Sequence, residues 1–147
     1  MKLEELNQLF QRDLAKLEKE LLSYSDEESL WLVDQQISNS AGNLALHLIG
    51  NLRHFVGLDL GGFAYERNRE REFDAKGEPR EGIIQELQEV KKIVEKSLLN
   101  FPEERLSDAS VHAFFGFPMS IGYFLIHLYG HFNYHLGQIN YHRRMLD

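Results

Sequence analysis

The chain has 147 residues, 43% of them hydrophobic, which is enough for one domain with a real core, and a formal net charge of −7. An acidic chain with no basic run longer than Arg143-Arg144 is not expected to bind nucleic acid or an anionic membrane. It has no cysteine, which excludes disulfides, thiolate metal sites and a protein-borne sulfur nucleophile.

Residues 2–24 place Leu3, Leu6, Phe10, Leu14, Leu17 and Leu21 at spacings of three and four, the pattern of an amphipathic helix. This N-terminal segment lacks a secretory apolar core, and the apolar stretch 41–50 is too short to span a bilayer, so a soluble, cytoplasmic protein is expected. Ser25 with Glu28 fits a capping box and predicts a short turn covering Trp31 and Leu32. The capping residues of "ISNSAGN" then open a second helix from about Ser40 to Leu58. A polar connection of about 20 residues follows, long for adjacent antiparallel helices and able to cross the end of a bundle. A third helix runs from about Pro79 to Asn100, with Ile83, Leu87, Val90, Val94 and Leu98 on one side. Residues 103–117 read as a loop, and Pro118 is expected to open a last helix reaching about Met145. The expectation is a single all-α domain over 1–147, a four-helix bundle with a long crossover connection between helices two and three.

The last helix carries a ladder: His127, His131, His135, Gln138 and His142 fall within about 80° of one face. Rungs four apart are neighbours and can grip one ion. The ladder runs beside the apolar rungs Phe124, Leu128, Phe132 and Ile139, so it borders the core seam, where imidazoles need partners. The second helix adds His47 and His54, about 10 Å apart along its axis, so only one of them can join a site on the last helix. The economical site is one histidine from the second helix with an i, i+4 pair from the last. Three neutral imidazoles would leave a divalent transition ion, zinc or nickel, with open positions for water or substrate. Blander roles fit others: His112 is expected to be hydrogen-bonded or exposed in its loop, and His142, beside Arg143 and Arg144, to help cap a helix end.

"LALHLIGNLRHF" followed near the C-terminus by "HFNYHLGQI" resembles the DinB/YfiT-like family. The likeness extends over most of the chain and includes the stretch Tyr65–Phe73. It implies a four-helix bundle with a three-histidine metal site, and the family's ligands fall on His47, His131 and His135. His54 and His127 become neighbours of that site, as supporting groups or alternative ligands. Members often carry an acidic residue after the first histidine of the pair and an arginine after the second, where this chain has Phe132 and Leu136. The resemblance also implies, for some members, transferases or isomerases that depend on low-molecular-weight thiols. Without cysteine, the thiol here would come from a cosubstrate, alongside a small-molecule substrate.

Hydrolysis is the other chemistry such an ion supports, and it needs a general base. No H-E-x-x-H motif is present; Glu66, Glu70 and Glu72 on the long connection and Tyr123, Tyr134 and Tyr141 near the ladder are available without an assigned role. Arg67, Arg69 or Arg71 would suit an anionic substrate, or the run could be a self-paired solvated loop. Gly122, Gly130 and Gly137 share the face of the last helix opposite the ladder, and each costs about 1 kcal/mol relative to alanine. Close approach of another helix, inside the bundle or across a homodimer, would offset that. A di-iron carboxylate bundle fits poorly, because no glutamate precedes a histidine by three residues. The alternatives are a non-catalytic metal-binding or stress-response interaction module and, with His131 or His135 as axial ligand, a haem-binding bundle.

Overall fold

A computed structural model describes residues 1–147, and it is all-helical. The elements are α1 (Leu3–Leu22), a 3₁₀ turn (Glu27–Trp31), α2 (Ala41–Leu52), which continues as a π-helical turn (Arg53–Leu58), short α3 (Arg69–Asp74), α4 (Arg80–Asn100), a 3₁₀ turn (Glu103–Ser107) and α5 (Ile121–Leu146). The long helices α1, α2, α4 and α5 are the four expected from periodicity, and all-α architecture holds.

Side-chain ties give the helix directions. Arg80, at the start of α4, donates to the carbonyls of Leu21 (3.4 Å) and Tyr24 (2.8 Å) at the end of α1, so α1 and α4 are antiparallel. Asn140 and Arg143, late in α5, donate to Glu20, late in α1, each at 2.7 Å, so these two helices are parallel. Phe55 of the π turn meets Phe124 at the start of α5 (5.2 Å), while His47 meets His131 one stretch further along, which makes α2 and α5 antiparallel. α2 and α4 therefore point the same way, and they pack together. Two parallel neighbours need a connection that returns along the bundle, and residues 59–79 make it over the outer face of α2. That explains why all twelve residues of α2 are buried: helices cover it on the inside and the crossover covers it on the outside.

The periodic positions named from sequence line the core. Leu3, Leu6, Phe10, Leu14, Leu17 and Leu21 of α1 are buried, as are Ile83, Leu87, Val90, Val94 and Leu98 of α4. Ser40 caps α2, its hydroxyl accepting from Asn43 N–H (3.1 Å), and Asn43 in turn donates to Ala75 O (2.9 Å), pinning the crossover.

Several boundaries differ from expectation. The turn after α1 is capped by Asp26, which accepts from Glu28 N–H (3.0 Å); Ser25 instead donates to the Asp147 carboxylate. The crossover contains α3, too short for periodicity to reveal. Pro118 does not open the last helix: Ser120 does, accepting from Tyr123 N–H at 3.1 Å, because a side-chain acceptor for the first free N–H groups is a better start than proline alone. No other helix approaches Gly130 or Gly137, where a Cβ would meet nothing within 4 Å; only Gly122 is confined, with Leu106 O at 3.2 Å. No helix is long and apolar enough to cross a membrane.

One buried charge ties α1 to α5. Asp13, fully buried, accepts from Tyr129 OH (2.6 Å) and pairs with Arg12 (2.8 Å) and Lys16 (2.9 Å). Burial alone would push its carboxyl up, but these partners outweigh it and hold the group well below the usual carboxylate range. A depressed native value means that the stabilisation is complete above the unfolded-state value near 3.8 and is lost as pH falls through the native one. Asp13→Ala should therefore lower stability by about 1–3 kcal/mol at pH 7 and by much less in strong acid. Urea unfolding at the two pH values checks this; an equal loss at both would reject it.

Candidate metal centre

Three imidazoles converge where α2 packs on α5. His47 comes from the middle of α2, and His131 and His135 are successive rungs of α5. Their ring centroids lie 4.6–5.2 Å apart. One ligand atom from each lies within 4.8 Å of the others. His131 Nε2 is central, 3.1 Å from both His47 Nε2 and His135 Nε2.

The outer nitrogens explain why these edges face one another. His47 Nδ1 donates to Glu72 Oε1 at 2.9 Å, and His135 Nδ1 donates to Gln138 Oε1 at 2.6 Å. A proton on each Nδ1 leaves each Nε2 as a bare lone pair turned inward. His131 Nε2 has one position to offer and cannot satisfy two lone pairs by donating to both. Three inward nitrogens at this spacing fit a cation between them, and a histidine whose other nitrogen donates to a carboxylate is the usual support of a metal ligand.

Electrostatics suit the same role. Burial first, and then the neighbouring His135, His47, His127 and Arg67, push the His131 imidazole down to about 4. Burial also pushes His135 down, against the opposing effect of its hydrogen bond to Gln138. Both are neutral at pH 7, the form that ligates.

The crossover supplies the support for His47. Arg67 donates twice to Glu72, Nε to Oε2 at 2.8 Å and NH2 to Oε1 at 2.7 Å. Glu72 is 3% exposed. Its carboxyl is lowered from the usual value: burial opposes this, but the bonds from Arg67 and His47 prevail. Gly50 makes room for it, since a Cβ there would strike the Glu72 carboxylate, whose Cδ would lie at 2.8 Å. Glu72 was visible in sequence as one of several acids in a charged run, but its part as the orienting group of His47 was not. Gln138, three residues after His135, was readable as a helical neighbour.

The other sequence candidates fall outside the cluster. His54 sits in the π turn, two helical turns beyond His47, and its Nδ1 is buried without a partner. His127 lies one turn before His131, ring centroids 6.2 Å apart, and packs edge-on against Phe115. His142 does not cap a helix end. It is 3% exposed, takes a hydrogen bond from Tyr24 OH at 2.7 Å and donates through Nε2 to Leu32 O at 2.9 Å. His112 pairs with Asp59 at 2.7 Å, as expected of a bonded loop histidine.

Nor are the crossover arginines free to hold substrate as a group. Arg67 is committed to Glu72, and Arg71 bridges Glu78 and Glu86 at 2.6 Å each. Arg69 alone lacks a carboxylate and lies over the Phe73 ring. Phe73 in turn covers His47, ring centroids 5.0 Å apart, while Tyr134 borders His135.

Comparison with known proteins agrees with this architecture. A solved DinB-like protein from Bacillus cereus ATCC 10987 is similar over 97% of this chain and 91% of its own, with a TM-score of 0.73 and 23% identity, a likeness of fold. No curated protein matches. The model of the family described as "Protein of unknown function (DUF1572)" matches residues 2–147. A DinB-like bundle with a histidine triad that can hold a metal ion, this chain belongs to the DUF1572 family.

Proposed function

We propose that His47, His131 and His135 ligate one divalent transition ion, zinc or nickel, and that the protein is a metal-dependent transferase acting on a small electrophile with a low-molecular-weight thiol as cosubstrate. The observation that carries this is the inward turn of the Nε2 atoms, with the Nδ1 protons of His47 and His135 held by Glu72 and Gln138. When bound, such an ion acidifies a coordinated thiol or water and polarises an electrophile. Three protein ligands leave positions open, which suits catalysis rather than a closed structural shell. Neither His54 nor His127 joins the cluster as a fourth ligand, which weighs against the structural module.

A hydrolase is the second reading, and the residues favour it less. Hydrolysis needs a base beside the attacking water. The only carboxylate hydrogen-bonded to the triad, Glu72, has both oxygens engaged by His47 and Arg67 and serves to hold His47. A thiol cosubstrate brings its own ionisable proton and asks less of the protein. The chain's part is then to keep His131 and His135 neutral, fix the tautomers of His47 and His135, and limit water with Phe73 and Tyr134 at the site's edge. A cytoplasmic setting accords with a thiol cosubstrate.

Elemental analysis of the protein and of His135→Ala tests the ligation, and equal metal content in both would reject it. Assay of the metal-loaded protein against a panel of thiols and electrophiles tests the reaction: turnover of esters or amides without thiol would favour the hydrolase.

We further propose a homodimer through the open face of α5. Tyr134 and Tyr141 are exposed there, and Gly130 and Gly137 meet no atom of their own chain. Gly130→Leu should raise monomer stability by up to about 1 kcal/mol, since leucine is the better helix former, while shifting the protein toward monomer in light scattering. An unchanged dimer, or a monomeric wild type, would end the dimer proposal.

A further inference from the structure

The histidine triad occupies the seam of α2 and α5. A separate concavity of ≈ 420 Å³ lies at the end of the bundle, where the π turn and α4 finish and α5 begins. Small-molecule pockets span about 300–1,000 Å³. None of the triad lines it. Its walls are aromatic, with Phe55, Phe63, Phe101 and Phe124 around it.

One turn of α4 faces these rings with Lys96, Ser97 and Asn100. Ser97 is 1% exposed, and its hydroxyl has no hydrogen-bond partner. Gly61 is what admits that hydroxyl, since a Cβ there would overlap Ser97 Oγ. A buried, unpartnered hydroxyl is unfavourable and uncommon in folded proteins. Ser97 lines the cavity, so a turn of its side chain would offer the hydroxyl to an occupant that completes it.

The charges around the cavity select the occupant. Asp59 is bound to His112 (2.7 Å) and Arg105 to Asp108 (3.0 Å). Lys96 alone among the lining charges has no opposite charge within 4.0 Å. An acidic protein thus leaves one cation open beside a buried hydroxyl and an amide, all capable of donating and all on one helical turn. No free carboxylate remains there to attract a cation. A single anionic group facing one free ammonium, with a flat apolar body among four rings, matches this lining.

We infer that the cavity is a second binding site, for an aromatic carboxylate whose carboxylate meets Lys96, Ser97 and Asn100 and whose ring lies among the phenylalanines. The site is independent of metal ligation, and its test reads binding rather than turnover.

Titration calorimetry on the full chain with 2-naphthoate, and with neutral 2-naphthylmethanol as its uncharged counterpart, tests it. Saturable binding of the acid is expected, with the alcohol at least about tenfold weaker, a factor worth one decade in Kd. Lys96→Glu, at an exposed position that folding does not depend on, should remove that difference. Ser97→Leu should abolish binding by filling the cavity; if it does not fold, Ser97→Ala should weaken the acid severalfold. His135→Ala should bind the acid as the wild type does, which separates this site from the metal site. No saturable binding, equal affinity for acid and alcohol, or full affinity in Lys96→Glu would overturn the inference. So would loss of binding in Phe117→Ser with retention in Ser97→Leu, which would place the probe on the exposed phenylalanines of the loop before α5.

Discussion

Alanine at His131 should leave the protein folded and nearly free of metal. His131 Nε2 stands 3.1 Å from both other inward nitrogens, so its loss leaves two donors and no geometry around them. The wild type, loaded and dialysed, should retain about one divalent ion per chain, and the variant at least roughly tenfold less, the scale on which even supporting groups act. Folding should suffer little. The Nδ1 of His131 is already buried without a partner, and its only other contacts of this kind are with the two imidazoles. Stability without metal should therefore lie within about 1 kcal/mol of wild type. With metal at one hundred times its dissociation constant, linkage should stabilise the wild type by about 2.7 kcal/mol and the variant not at all. Equal metal content, or equal stabilisation by metal, would reject the triad as the ligand set. His127→Ala should behave as wild type in both measurements, since its ring stands a turn away from the cluster.

The contrast between these two histidines shows what local spacing can and cannot say. The i, i+4 rule placed His127, His131 and His135 on one stripe with equal standing, and it correctly put that stripe beside the core. Which pair faces a partner depends on where α2 crosses, a tertiary fact carried by His47. The expected second helix, from Ser40 to Leu58, likewise assumes unbroken α-helical bonding. The π turn from Arg53 breaks that assumption through i→i+5 bonding, with Asp59 N–H donating to His54 O at 3.1 Å, and no strong residue signal marks it. His142 was misread for a related reason. Its neighbours Arg143 and Arg144 are exposed or half-exposed and suggest a helix-end charge, but one hundred degrees per residue turns His142 inward onto Tyr24. The bundle itself was legible because its periodic leucines repeat over many turns. α3 was not, because six residues are too few for periodicity to register.

Glu72 carries the largest effect that sequence left unassigned, and Glu72→Gln should damage two properties separable by experiment. An amide cannot accept both guanidinium bonds or neutralise Arg67, whose side chain is 9% exposed. Breaking a buried pair in this way costs about 3–5 kcal/mol because one charge stays behind unpaired. The amide also deprives His47 Nδ1 of its anionic acceptor, freeing the imidazole to rotate or change tautomer. That should weaken metal binding by about 10–100-fold. The double variant Glu72→Gln/Arg67→Met removes the stranded charge with its partner and should recover most of the stability. It should not recover metal affinity, because His47 still lacks a carboxylate. Gly50→Ala gives the same answer by another route: its Cβ would occupy the place of the Glu72 carboxylate, so metal affinity should fall while every charged group remains. If metal affinity in both the double variant and Gly50→Ala equals that of wild type, Glu72 serves only to anchor the crossover. If affinity falls in both while stability in the double variant returns, the crossover is what holds His47 in its ligating orientation.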